Sequence, residues 1–194
     1  MNEIDYSDIV KQVLVATFHN ESQLGRSMKE LSLAIRAQFK KNLLNSIMRL
    51  LRGADNGTLN NDKIRLEIRR LADSNDVSVG QSQKVVNVYM KYYCILKEYT
   101  NLIRELDCPI DSGIAKAVWD DLSSDEKEDL RSLLPPNLPL GFSYSYFTKL
   151  KNIDYPIYEF LQSKLERMGN GIRLDPDIQT YDKRRIEDFL STTD

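Results

Sequence analysis

Two cysteines and a single histidine leave this chain of 194 residues short of the side chains that most metal centres need. Cys94 and Cys108 do not form a CxxC pair, and His19 alone cannot complete a nitrogen and sulfur ligand set, so no zinc or iron–sulfur site and no other cofactor is expected. Unpaired cysteines in apolar surroundings read as small buried hydrophobes of a reducing compartment. Nowhere do the roughly 18 consecutive apolar residues of a membrane span occur. The opening MNEIDYSDIVKQ carries acids where a secretory signal needs positive charge, so the expected location is the cytoplasm, or the nucleoid if the source is prokaryotic. GxSxG, P-loop, Rossmann glycine and HExxH patterns are all missing, which removes the commonest hydrolase, nucleotide-binding and zinc-protease chemistries. Internal repeats, low-complexity tracts and alternation long enough for a sheet are missing too.

What is present is charge, unevenly spread. The formal net charge is only -2, yet the stretch 26–104 holds 15 Lys and Arg against 7 Asp and Glu, and 105–129 holds 9 acids against 2 lysines. Local potential steers a ligand more than the net sum does, so a basic half could present a face to an anionic partner. The plainer reading is a helical surface laced with ion pairs.

Apolar residues recur at helical spacing through most of the chain. The periodicity predicts helices over 6–18, 27–52, 63–72, 80–106, 112–119, 124–133, 155–168 and 183–190, an all-α compact bundle of about seven to nine helices. Asn61 or Asp62 is the expected cap of the third. Ser123 and Glu126 have capping-box spacing, and Pro135, Pro136 and Pro139 mark a loop. One domain over 1–194 is expected, divisible into sub-lobes at 1–78 and 79–194.

The segment 79–111 stands out. On a helix Lys84, Asn87 and Lys91 share one face, flanked by Gln83, within an otherwise apolar surface of Val85, Val86, Val88, Tyr89, Tyr92 and Tyr93. A lysine desolvated in such a place can lose its proton and become a nucleophile; the plainer alternative is a solvated groove. Asp111, in Cys108-Pro-Ile-Asp-Ser112, fits either a helix N-cap or a second functional group.

The order of a turn carrying Gly80, a lysine early in a long helix, a Lys-x6-Lys spacing (Lys84, Lys91) and then Pro109-Ile-Asp111 resembles the helix-hairpin-helix DNA glycosylases with abasic-site lyase activity, most closely the archaeal 8-oxoguanine glycosylases. The resemblance covers about 35 residues. It implies a helix-hairpin-helix glycosylase-like fold, Lys84 as the nucleophile that forms a Schiff base with the sugar, and Asp111 as its electrostatic and proton-handling partner. Gln83, Asn87, Lys91 and Trp119 would then orient substrate, Trp119 by stacking on an extruded base as the aromatics Phe142, Tyr144, Tyr146 and Phe147 could also do. Gly80, Arg36, Lys40, Lys41, Arg49, Arg69 and Arg70 would contact the phosphates of double-stranded DNA. The competing expectation is a non-catalytic helical interaction or nucleic-acid-binding subunit of a larger intracellular or defence assembly, with a protein partner, the polar stripe as a specificity network and the charge asymmetry as a docking surface.

Overall fold

In the computed structural model, residues 28, 31–136, 144–147, 149–174 and 176 are described, the side chains of 95 and 96 excepted. Among them the chain is all helical, with seven α-helices and two 3-10 turns and no strand: α1 (Leu33–Asp55), α2 (Asn61–Asn75), α3 (Val79–Leu96), α4 (Thr100–Glu105), α5 (Ser112–Asp121), α6 (Ser124–Ser132), 3-10 turns Tyr144–Tyr146 and Leu150–Asn152, and α7 (Tyr155–Met168). The helices expected over 6–18 and 183–190, with His19, Pro139 and Phe142, lie outside the described residues.

Local chemistry sets most boundaries. Ser32 starts α1, six residues later than the periodicity suggested, by accepting the Ile35 N–H at 3.2 Å. Asn60, rather than Asn61 or Asp62, caps α2 through the Lys63 N–H at 3.1 Å. The capping box of Ser123 and Glu126 forms as the spacing predicts. Asp154 caps α7 ahead of a proline in the first turn, where a missing N–H costs nothing.

The long helix expected over 80–106 is two helices. At 97–99 the chain turns through Glu98, whose φ is 55°, and the Tyr99 N–H reaches back to the Cys94 carbonyl at 2.9 Å. That bond, spanning five residues around a left-handed one, is a Schellman closure of the helix end. It returns Tyr99 to the edge of Tyr93, ring centroids 6.2 Å apart, and both phenols donate to Asp55 Oδ1 at the end of α1.

The helices α1, α2 and α3 pack pairwise, and α7 lies against both α3 and α5. Phe39, Leu43, Ile47 and Leu50 of α1, at spacings of four, four and three, are buried against Ile64, Ile68 and Leu71 of α2 and Val85, Val86 and Met90 of α3. Tyr158, Leu161 and Leu165 of α7 belong to the same apolar cluster, so residues before and after position 79 share one core. No helix among the described residues is long and apolar enough to cross a membrane.

Candidate functional site

Ser78 and Gln81 begin α3 with a reciprocal cap: the Ser78 N–H donates to Gln81 Oε1 at 2.9 Å and the Gln81 N–H to Ser78 Oγ at 3.1 Å. The 3-10 turn Leu150–Asn152 then sits directly on this helix start. Ser78 Oγ donates to the Leu150 carbonyl at 2.8 Å and the Gly80 N–H to the Ile153 carbonyl at 2.9 Å. A Cβ at position 80 would stand 2.7 Å from Ile153 Cβ and still closer to the Leu150 carbonyl. Close approach of two backbones is why glycine stands here. The amide expected to hold a DNA phosphate is engaged inside the chain, and Gly80 is buried beneath the turn.

Beyond α4, residues 106–110 run buried through the protein, and past the Leu106 N–H, which closes α4 on the Leu102 carbonyl, their backbone has no helix or sheet to satisfy it. Two glutamines take that role. Gln83 of α3 donates Nε2 to the Ile110 carbonyl at 3.0 Å and accepts the Ile110 N–H on Oε1 at 3.2 Å. Gln162 of α7 does the same to Cys108, at 2.7 and 2.9 Å. Pro109, between the two clamps, has no N–H to satisfy.

Asp107, fully buried, anchors the start of the same segment. Its carboxylate receives Nε and Nη2 of Arg65 at 2.7 and 2.9 Å, Asn61 Nδ2 at 3.0 Å and the Tyr158 hydroxyl at 2.7 Å, with Arg173 Nη1 at 3.4 Å. Burial opposes the charge on Arg65, but the Asp107 hydrogen bonds and charge outweigh it and hold the guanidinium protonated. Burial and then the Asp107 charge push the Tyr158 phenol well above its ordinary range, so it stays a neutral donor. Arg65, Asp107, Tyr158 and Gln162 carry no motif, and sequence reasoning passed over them. Their only local trace is Tyr158 and Gln162 standing four apart on one face of α7.

At the end of this segment Asp111 meets Lys84. Asp111 Oδ1 caps α5 by accepting the Gly113 and Ile114 N–H groups at 2.9 and 3.0 Å, while Oδ2 lies 3.1 Å from Lys84 Nζ. The lysine side chain is 7 % exposed and the aspartate side chain 31 %, so solvent reaches the pair from the carboxylate side. Desolvation works to raise the Asp111 pKa, but the Lys84 charge and the α5 amides overcome it and hold the carboxyl below its ordinary value. The N-cap and the functional reading of Asp111 are therefore compatible in one geometry.

The other expected site residues are distributed differently. Gln83 and Asn87 both turn inward: Asn87 Nδ2 donates to Gln83 Oε1 at 3.2 Å and to the Tyr158 hydroxyl at 2.9 Å, while its Oδ1 is buried without a hydrogen-bond partner. Lys91 is buried two turns along α3, its Nζ 5.6 Å from the Tyr92 ring centroid. Trp119 packs on Phe147 with centroids 6.3 Å apart and lies under Lys127. It stands eight residues beyond Asp111, about 12 Å along the axis of α5 at 1.5 Å per residue.

Among the expected phosphate contacts, Arg49 and Arg70 both bind Glu67, at 2.7 and 3.0 Å. Arg69 stacks 3.1 Å over Tyr155 and lies 4.0 Å from Glu159. Lys40 and Lys41 are exposed on α1, and Arg36 is half-buried. The described residues contain no group of three or more His, Cys, Asp or Glu placed to hold a metal ion. Compared with models of protein families, with curated proteins and with solved structures, the chain gives no match.

Proposed function

We propose that the protein is a DNA glycosylase and abasic-site lyase acting on damaged or modified bases, with Lys84 as nucleophile and Asp111 as its partner. The observation that supports this reading is the 3.1 Å approach of a nearly buried amine to a carboxylate that is itself fixed by two helix amides. In this reading Asp111 accepts a proton from the Lys84 ammonium as Nζ bonds to substrate, so that the uphill transfer is coupled to bond formation. Nζ bonds to the sugar carbon C1′, the glycosidic bond breaks with its electron pair going to the base, and the base takes up the proton that Asp111 accepted. Asp111 moves a proton from the new C1′ ammonium to O4′ as the sugar ring opens to a protonated imine between Nζ and C1′; loss of a C2′ proton then forms the C2′=C3′ bond and expels the 3′ phosphate.

Borohydride reduction of that imine locks enzyme and DNA together, so the test is trapping on a duplex containing an abasic site. The expected outcome is a covalent adduct with the native chain, none with Lys84→Ala, and a loss of about 10²-fold or more in trapping rate with Asp111→Ala, as losing a proton-transfer group costs. No adduct with the native chain ends the proposal.

A second reading, a non-catalytic helical binding subunit, draws on the inward-facing bonds of Gln83 and Asn87, which tie the polar stripe to the interior. There the Lys84–Asp111 pair is a structural pin. DNA binding without trapping favours it.

A further inference from the structure

Successive residues of α3 engage successive residues of the buried segment: Gln83 binds Ile110, and Lys84 binds Asp111. A lysine side chain has four rotatable bonds and a compact charge with no directional fork, so an ion pair alone tolerates several registers. Two antiparallel hydrogen bonds to the N–H and C=O of one residue do not. A slip of one residue displaces an extended segment by about 3.3 Å and turns the next side chain to the opposite face, which takes a carboxylate out of reach of a fixed amine.

Gln83 is itself held. Its Oε1 accepts from Asn87, Asn87 donates onward to the Tyr158 hydroxyl, and Tyr158 donates to Asp107, three residues before Ile110 in the same segment. The hydrogen bonds close a ring through α3, α7 and the segment, all of it buried. Gln162 performs the same chemistry on Cys108 but touches neither member of the ion pair.

We propose that Gln83, braced by Asn87, is the positioning residue that sets the distance between Lys84 and Asp111, a role distinct from contact with substrate. Its consequence for activity rests on the reading of that pair as the reacting groups; its geometric part does not. Groups facing Asp111 are Lys84 from α3 and the Gly113 and Ile114 amides of its own helix, so the titration of its carboxyl reports whether the lysine is still in place.

The experiment compares Gln83→Met with Gln162→Met in the full chain. Each leaves the N–H and C=O of one buried residue without their partners, so Gln162→Met controls for that loss, while Gln83→Met also removes the acceptor of Asn87 Nδ2. The Asp111 carboxyl is followed by ¹³C NMR against pH, with Lys84→Met as the reference for a missing partner. Gln83→Met is expected to move the Asp111 midpoint up by about one pH unit, toward the Lys84→Met value, since an opposite charge nearby lowers a carboxyl by about that much or more. Gln162→Met is expected to leave it unchanged. If Gln83→Met does not fold, Asn87→Ala, which removes the brace and keeps both Ile110 bonds, is expected to move the midpoint the same way by a smaller amount. An unmoved midpoint in the Gln83 or Asn87 variant, or an equal shift in Gln162→Met, overturns the proposal. Because this readout needs no substrate, a chain that fails to trap DNA yet shifts as described loses only the lyase reading.

Discussion

Asp111 divides its two oxygens between a helix and a lysine, and the two functions separate by substitution. Asp111→Ala removes an N-cap, worth about 1 kcal/mol, and also leaves a buried ammonium without its acid, worth about 3 kcal/mol. Adding Lys84→Met removes the stranded charge, so the double variant is expected to regain most of the second term. Denaturant unfolding of the four proteins of this cycle checks it, and equal stabilities for Asp111→Ala with and without Lys84→Met would contradict the pairing. The pH dependence follows from the depressed carboxyl. Its contribution is complete above the ordinary value of 3.8 and disappears as pH falls through the lower folded value, so Asp111→Asn should flatten part of the acid limb of melting temperature against pH. At this scale the sequence was readable where causes are local. A Pro-x-Asp-Ser run signals a cap, and a lysine on an apolar helix signals something to neutralise it. The Gln83 clamp on Ile110 was not readable, because it depends on where a segment 27 residues away folds back.

Left-handed residues terminate four of the helices in the same manner. Gly57, Asp76, Glu98 and Asn170 have φ of 65°, 51°, 55° and 51°, and each time the next N–H reaches a carbonyl five residues back. Glycine, aspartate and asparagine accept this conformation readily, whereas glutamate gains little from it. Glu98→Gly is therefore expected to stabilise by about 0.5 kcal/mol, read as a rise in melting temperature of about 1–2 °C. A decrease would show that the Glu98 side chain contributes something its backbone does not reveal. Gly80→Ala has the opposite sign, since its methyl group meets the 150–153 backbone, which cannot move without giving up the Ser78 and Gly80 bonds. A loss of about 2 kcal/mol or more is expected in denaturant unfolding. Helix existence was legible from periodicity throughout the described residues. The break at Glu98 was not, because the apolar pattern of α3 continues through Tyr99, Leu102 and Ile103 and no glycine or proline marks the turn.

Across the whole molecule the basic half is less available than its count of lysines and arginines suggests. Glu67 is held by Arg49 and Arg70 and, although burial opposes its charge, these partners keep it below the ordinary carboxyl range. With Arg69 stacked on Tyr155 beside Glu159, three of the cations expected on phosphates already face carboxylates. If DNA binds, the logarithm of affinity against the logarithm of salt concentration should fall with a slope of about -3, rather than the roughly -5 of the full set, at about 0.9 per phosphate contact. A slope near zero would remove the docking face altogether. The all-α class was legible in the sequence because composition and period agree along the chain; of the neutralising pairs only Glu67 with Arg70 has local i,i+3 spacing, while Arg49 with Glu67 and Arg69 with Glu159 join separate helices.

The amides of Cys108 and Ile110 are held by glutamine side chains instead of by a neighbouring turn of helix. Fraying of any single helix end cannot release them. Deuterium from solvent reaches Cys108 when α7 parts from the segment and Ile110 when α3 does, so slow exchange is expected at an irregular stretch, which reports opening of the core.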